Sequence, residues 1–399
     1  MKVLRTLNAQ RSEHGARDAS ESHRSARNLF LLKSILCATL CASTAVCVQA
    51  QNQRQSVRDE SWRATIDTRI TNGNPSRTTE SYTKSNDRII DERKIEILGI
   101  NGHYEPFSER QAETVKVDAT TARTVVRNYT WDGNGRRTLA QVIEEESHTT
   151  ATGETRTERR TSNSDLNGNF QVVQREIVST RKISPEIEER KSTVYRADSY
   201  GGFTQAQQTQ ELKTHNAGDS VAVKRINRIP DGNGNWKVSD VTETITADDG
   251  KNRTSEERFF RSDLNDRLYE TSRRVSKEAE TATGEKKSTV ETFSIYAPGY
   301  FDSRLHLHQR VIAIQKKRSG GEISEQQIEQ PSVGNPSDGP KVIARTKYVV
   351  QYTATGTEST RTVEIRDING KLDMVSVETR KLDPVCSAEK PTTPGDKHQ

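Results

Sequence analysis

The sequence predicts an all-β fold, an elongated and strongly twisted antiparallel meander of about eight hairpins with a period of about 33 residues. Three observations predict it. A turn motif recurs at nearly constant spacing, the segments between turns are rich in strand-forming residues, and opposite charges would meet across the turns. A β-propeller and a closed barrel are the alternative arrangements of the same hairpins.

The turn motif is Asp-x-Asn-Gly, in full or looser form. Its first five copies are 33, 33, 33 and 32 residues apart, and weaker versions lie at Gly99, at Tyr296 and within 334–340. The full and looser copies begin at Asp132, Asp165, Asp198, Asp231, Asp263 and Asp367. The Asp side chain accepts backbone N–H groups two residues on, and Gly takes the left-handed conformation that closes such a turn. Repetition at a fixed period indicates one supersecondary unit that is stacked many times.

Each repeat is predicted to be a turn, a strand, a second turn and a returning strand. A large apolar residue usually follows the motif's Asp by five positions and should begin the outgoing strand; Arg137 is the exception. These residues are Tyr104, Phe170, Phe203, Trp236, Leu268, Phe301 and Leu372. The second turns are marked by Gly153, Gly218, Gly250, Gly284, Gly320, Gly356 and the variant Ser184-Pro185-Glu186.

The segments between turns favour strands over helices. They are rich in Thr, Val, Arg, Glu and Ser, and no window shows apolar residues at helical spacing over three turns. If Gly153 closes a hairpin, Glu145 and Glu146 lie across from Arg159 and Arg160, and Glu280 similarly faces Lys286 around Gly284. Such pairs support antiparallel neighbours.

Composition argues against an ordinary hydrophobic core. Only 30% of the residues are hydrophobic and 29% are charged, with a mean hydropathy of -0.89. In the segment from Trp236 to Glu243, neither alternate set of positions is cleanly apolar. Disorder is one interpretation of such a composition. The regular turns favour instead a twisted sheet with a thin apolar seam, stabilised by backbone ladders and contacts between neighbouring hairpins.

The first fifty residues have the pattern of a secretory signal peptide. Arg24, Arg27 and Lys33 precede an apolar or small stretch from 34 to 48, and Ala50 ends a cleavage-site pattern. An uncleaved anchor is the alternative, and no membrane span is expected after signal removal. We therefore divide the chain into a leader (1–50), an N-terminal linker with the first strands (51–98), a β-hairpin repeat domain (99–382) and a disordered tail (383–399).

The leader also explains the basic charge of the chain. It holds seven Lys or Arg and three acids, so its removal leaves a nearly neutral protein without the basic surface that nucleic-acid binding requires. Cys386 is then the only cysteine, and we expect a bystander thiol, with an intermolecular disulfide as the alternative.

No motif fixes a chemistry, and we expect neither an enzyme nor a cofactor. His306 and His308 flank Leu307 on a predicted strand, so both imidazoles would project from one face, with Asp302 nearby. They are a weak metal candidate, because a third His or Cys ligand is missing from the neighbouring sequence. The Asp-x-Asn-Gly turns lack the Gly and bidentate Glu positions of an EF-hand loop.

The run from Tyr129 to Arg136, Tyr-Thr-Trp-Asp-Gly-Asn-Gly-Arg, resembles the turn of YD (Rhs-type) repeats, and the run from Phe260 to Leu268 is similar. These are secreted β-hairpin repeats with a Tyr-Asp-x-x-Gly-Arg core. Here the Tyr before the Asp is mostly absent and the period is longer. The resemblance implies a large extracellular β-structure and no activity.

These observations together predict an exported, non-catalytic β-repeat protein that is secreted, periplasmic or on the cell surface. It would act as an envelope scaffold or an adhesin-like surface, with an unknown envelope protein or glycan as partner. The alternatives are an outer-membrane β-barrel and a ligand-binding β-propeller. Charged residues on both alternate sets of most strands argue against a barrel in lipid.

Overall fold

The computed structural model describes residues 61–384, apart from 72, 133, 166, 217–218, 298, 300–301, 333, 336–337, 354–355 and 368. All of them belong to one compact unit, Glu60–Gln399. The predicted leader, the cleavage site after Ala50 and Cys386 lie outside the described residues, so these predictions stay predictions.

The described chain is composed almost entirely of β-strands. The first ten are β1 (Ser61–Ile70), β2 (Ser76–Ser85), β3 (Arg88–Leu98), β4 (Tyr104–Lys116), β5 (Thr121–Trp131), β6 (Arg137–Thr149), β7 (Thr155–Ser164), β8 (Phe170–Lys182), β9 (Ile187–Ala197) and β10 (Phe203–Asn216). The others are β11 (Ser220–Pro230), β12 (Trp236–Asp248), β13 (Asn252–Ser262), β14 (Leu268–Glu280), β15 (Lys286–Ser294), β16 (His306–Arg318), β17 (Gly321–Pro331), β18 (Pro340–Thr353), β19 (Gly356–Arg366) and β20 (Leu372–Pro384).

The strands form one closed ring. Each strand pairs antiparallel with the next along the chain, and β20 pairs antiparallel with β1, from Trp62 opposite Pro384 to Ile70 opposite Ser376, to complete a 20-stranded sheet. The predicted antiparallel meander is confirmed, but the open twisted sheet is wrong, and the closed barrel is the alternative that holds. Closure leaves no unpaired edge strand, and an open sheet would have two.

The ring also contains more hairpins than the eight that the turn motif predicted. β1 to β3 lie in the segment 51–98, before the first recognisable turn, and they complete the circle together with the repeats. The strands of the repeats and β1 to β3 therefore belong to the same 20-stranded sheet.

The turn motif works as the sequence predicts. In the turn at Asp165, the carboxylate oxygen Oδ1 accepts the backbone N–H groups of Asn167 and Asn169, both at 2.8 Å. Gly168 has φ of 82°, in the left-handed region that favours glycine. The outgoing strand then begins at Phe170, five residues after the Asp. The same positions begin β4, β6, β10, β12, β14 and β20, whereas Phe301 lies outside the described residues.

The predicted charge pairs are confirmed in part. Glu145 lies opposite Arg159, with 2.6 Å between carboxylate and guanidinium, and Glu280 lies opposite Lys286 at 3.8 Å. Glu146 faces Glu158 and not Arg160, because the register places these two acids directly across from each other.

A belt of β-bulges runs around the ring near the rim that carries the Asp-x-Asn-Gly turns, which we call the turn rim. In nine even-numbered strands the register skips one residue, which adds local twist and curvature. The skipped residues are Phe107, Ala140, Val173, Ala206, Ser239, Thr271, His308, Ile343 and Val375. Where the full or looser motif precedes it, the bulge falls eight residues after the turn's Asp, as Val173 follows Asp165.

The strands are staggered around the barrel. A path traced through register partners begins at Ala64, near the start of β1, and reaches Asn163, the residue before the last of β7. The strands are therefore displaced along their length from one strand to the next. Because β-strands twist to the right, strands that are staggered in this direction coil around the barrel with the side chain of Ala64 directed into the interior. We call it the inward face, and the alternate residues, such as Tyr129, form the outward face.

Burial agrees with this assignment, because side chains crowd on the concave side of a curved sheet. Most of the buried side chains within strands are on the inward face: Ala64, Thr78, Ala112, Ile328, Ala344, Thr346, Val350 and Ser359. Glu189 and Val241 are buried on the outward face. A ring of 20 strands about 4.8 Å apart and tilted by about 40° has a diameter of about 40 Å between opposite backbones.

Candidate functional site: the barrel wall and lumen

The lumen wall is polar along most of the ring. Small hydroxyl residues and ion pairs alternate on it, as where Arg159 lies 2.6 Å from Glu145 and 3.4 Å from Glu176 on the next strand. The hydroxyls of Thr114 and Thr124 are 2.9 Å apart on neighbouring strands. Such a wall presents hydrogen-bonding groups to the interior, which suits water and polar solutes.

An aromatic pair interrupts this wall near the rim that carries the chain ends. Trp62 of β1 and Tyr82 of β2 are register partners on the inward face, with ring centroids 6.0 Å apart and planes inclined by 13°. The guanidinium carbon of Arg380 lies 5.9 Å from the Trp62 ring centroid, and its Nη2 is 3.3 Å from Glu80. This aromatic pair, with charged groups beside it, is the most distinctive feature of the inward face.

Sequence reasoning missed the aromatic pair. The pairing of Trp62 with Tyr82 could have been found from the short turn signal between them, Asn72-Gly73-Asn74-Pro75. The position of Arg380 could not, because it depends on ring closure across almost the whole chain, which no local pattern encodes.

The outward face is also charged at mid-height. Glu158 lies 2.8 Å from Arg160 and 2.9 Å from Arg175, and Arg310 lies 2.8 Å from Glu291. A cavity of ≈ 350 Å³ on β5 to β7 is lined mainly by outward residues of both signs, among them Arg123 and Glu144, which are 3.0 Å apart. The described strands therefore carry charge on both faces, as the sequence predicted.

Close to the turn rim the outward face becomes apolar. We call this band the collar. Its members begin or end strands on the outward face and include Tyr104, Trp131, Phe170, Phe203, Trp236, Leu268 and Leu372. Phe170, Phe203 and Leu268 are 41%, 43% and 48% exposed, so the collar leaves apolar surface accessible.

The histidine candidate forms only a partial cluster. His306 Nε2 is 2.7 Å from Asp302 Oδ1, and the Arg304 guanidinium binds the other carboxylate oxygen at 2.8 Å. The register pairs His306 and Leu307 with β15 and skips His308, which interrupts strict alternation. The backbone N–H and the side chain of Arg304, together with His306, lower the pKa of Asp302 to about 2.

The residues around this cluster do not complete a metal site. Among the described residues, no three His, Cys, Asp or Glu side chains are close enough to hold a metal ion. His308 Nδ1 is buried and has no hydrogen-bond partner among the described residues.

In the described part of the chain, no helix is both long and apolar enough to cross a membrane.

Comparison with known proteins finds likeness in architecture alone. No protein-family profile and no curated protein sequence matches the chain. Among solved structures, the barrel is similar to the FrpB iron transporter from Neisseria meningitidis (F3-3 variant), with 8% identity, a TM-score of 0.42, and coverage of 84% of this chain and 76% of that one.

A second similar structure is the copper transporter OprC, and a third is the outer membrane protein OpdK from Pseudomonas aeruginosa. OprC is 7% identical with a TM-score of 0.42, and the match covers 81% of this chain and 80% of that one. OpdK is 8% identical with a TM-score of 0.38, covering 81% and 97%. Likeness at this level says nothing of what the chain binds or carries.

The resemblance to YD (Rhs-type) repeats is wrong. The strands close into a 20-stranded ring through the pairing of β20 with β1, and do not form an open row of repeated hairpins. The run from Tyr129 to Arg136 is similar to that family because both use an Asp-x-x-Gly turn to close a hairpin.

Proposed function

We propose that the protein is an outer-membrane-type β-barrel of the cell envelope that encloses a wide, polar conduit for solutes. The observation that carries the proposal is the closed ring of 20 antiparallel strands with a polar inward face. Barrels of 16 to 18 strands leave an aqueous channel, and about 40 Å between opposite backbones leaves room for one here.

An even number of antiparallel strands, each paired with its neighbour in sequence, supports the same proposal, because membrane barrels are built in this way. The predicted leader adds export to the argument. The collar supplies aromatic side chains at one rim, where membrane barrels carry a girdle.

A second candidate is an exported barrel that stands in an aqueous layer of the envelope as a scaffold. The outward ion pairs of Glu158 with Arg160 and Arg175 favour it. A Lys or Arg on the lipid face costs about 2–4 kcal/mol at the bilayer midplane, so a ring of such pairs resists burial in hydrocarbon.

Fractionation and reconstitution separate the two candidates. The full chain is expressed with its leader in a Gram-negative host, and the envelope is washed with alkaline carbonate. The conduit is expected to stay in the outer-membrane fraction, to require detergent, and to release glucose entrapped in liposomes after reconstitution. Release by washing without detergent, together with glucose retention, would instead support the aqueous scaffold.

A further inference from the structure

We infer that the aromatic pair of Trp62 and Tyr82 is a binding platform for saccharides at one mouth of the lumen. The inference deepens the proposed conduit by naming the class of solute, and it rests on the assignment of the inward face. Trp62 is the second residue of β1, so the platform lies close to the rim from which both ends of the barrel chain emerge.

The two ring planes are nearly parallel, and the rings are stacked with their centroids 6.0 Å apart. They belong to cross-strand partners, so the stacked pair stands as one aromatic cluster on the inward face. A pyranose ring has one apolar face of C–H groups, which packs against an aromatic ring, while its hydroxyls project outward around the ring edge. An outer face of the stacked pair therefore suits one sugar unit, and the second ring supports the first from behind.

Charged groups lie where the hydroxyls of a stacked sugar would project. On one side, Glu80 lies between Arg380 at 3.3 Å and Arg93 at 3.7 Å. On the other side, Asp91 of β3 is the register partner of Tyr82, and the Arg110 guanidinium lies 2.8 Å from the Asp91 carboxylate. Carboxylates accept hydrogen bonds from hydroxyl groups, and guanidinium groups donate hydrogen bonds to hydroxyl groups. Each cluster therefore offers a sugar both a hydrogen-bond acceptor and a donor.

The ion pairs also suit an uncharged sugar. Both acids on this part of the wall have basic partners, and Arg380, Arg93 and Arg110 exceed the two carboxylates by only one charge. Uncharged, hydroxyl-rich chains satisfy both the aromatic surface and the paired groups. A few polar groups beside an apolar surface are typical of small-molecule sites.

The three tryptophans of the chain allow a direct test, because Trp62 faces inward whereas Trp131 and Trp236 belong to the collar. The variant Trp131→Phe/Trp236→Phe keeps only the platform tryptophan, and Trp62→Phe/Trp131→Phe keeps only a collar tryptophan. Both are titrated with maltohexaose and with cellohexaose. We expect a saturable change in emission from the Trp62-only protein and none from the Trp236-only protein.

Tyr82→Ala in the Trp62-only protein should raise Kd about tenfold, because one of the two stacking rings is lost. Calorimetry on the otherwise unchanged chain, with Tyr82→Ala against Tyr82→Phe, covers the case in which the tryptophan variants fail to fold. Calorimetry that detects neither hexasaccharide at millimolar concentration, or equal emission changes in both single-tryptophan proteins, would overturn the inference. Saccharide binding by a protein that remains outside membranes would refute the conduit alone.

Discussion

The Arg380 guanidinium in the last strand lies 3.3 Å from the Glu80 carboxylate in the second strand, so this ion pair joins the two ends of the barrel across β1. Arg380 also packs near the Trp62 ring. These contacts add side-chain interactions to the backbone pairing of β1 with β20, the one pairing in the ring that joins distant parts of the chain.

Ring closure can be tested by a disulfide across this junction. Thr68 of β1 and Glu378 of β20 are register partners, and opposite residues in antiparallel strands are within reach of a disulfide. In a Cys386→Ser background, Thr68→Cys/Glu378→Cys should form an intramolecular disulfide on mild oxidation, seen as a faster band in non-reducing electrophoresis. The control pair Thr68→Cys/Asn163→Cys joins β1 to β7 and should remain reduced. Equal oxidation of both pairs would contradict closure.

The buried inward side chains should matter most for stability. Ile328 is 2% exposed, and its truncation to Ala should lower the free energy of unfolding by about 2–5 kcal/mol through lost packing and a cavity. Ile245 is 58% exposed, so Ile245→Ala should cost less than about 1 kcal/mol. Equilibrium denaturation followed by circular dichroism measures both. Similar losses in the two variants would contradict the assigned burial.

The turn glycines should resist substitution for a conformational reason. Gly168 has φ of 82° and nothing within 4 Å of an added Cβ, so Gly168→Ala would suffer backbone strain alone, about 1–2 kcal/mol. Gly334 also has open space and is not in the left-handed region, so Gly334→Ala should be nearly neutral. The unfolding temperatures of the two variants are compared by thermal unfolding. A Gly168→Ala protein as stable as the Gly334→Ala protein would refute the turn geometry.

Turn carboxylates should make the barrel sensitive to strong acid. The backbone N–H and hydroxyl of Thr120, at 2.7 and 2.8 Å, lower the pKa of Asp118 to about 2. A carboxylate with a lowered pKa stabilises the fold above its unfolded pKa of 3.8, and this contribution is lost as pH falls toward 2. Backbone N–H groups lower the pKa of Asp165 and Asp367 in the same direction.

The unfolding temperature should therefore fall between about pH 4 and about pH 2. Asp118→Asn should be less stable than the unchanged chain at neutral pH and should lose less stability over this interval, because it has one titrating carboxylate fewer. Calorimetric scans at several pH values measure this. An unchanged slope in Asp118→Asn would exclude Asp118 as a contributor.

Local features of the barrel could be predicted from the sequence because they depend on neighbouring residues. The turn at Asp165, the start of a strand at Phe170 and the pairing of Glu145 with Arg159 each follow from a few consecutive positions and one hairpin. The bulges were missed, although the outgoing segments are longer than the returning ones. β8 from Phe170 has 13 residues and β7 has 10, which leaves extra residues for a bulge.

Closure could not be predicted in the same way. Whether a twisted meander stays open or closes depends on stagger accumulated over all strands, and a small change in each register alters the result. The hairpins of β1 to β4 also lack the full turn motif, since Gly99 replaces the Asp before β4. The position of Arg380 beside Trp62 was missed for the same reason, because Arg380 arrives with β20.

Completing the circle has a cost during synthesis, because β1 gains its second partner only when β20 has been made. Until then both β1 and the newest strand present bare backbone donors and acceptors, which invite pairing with other chains. A product truncated before Leu372 would keep these unpaired strand edges permanently. The closed ring of the described strands has no such edge, so the exposure of unpaired backbone is confined to the period before the final segment is made.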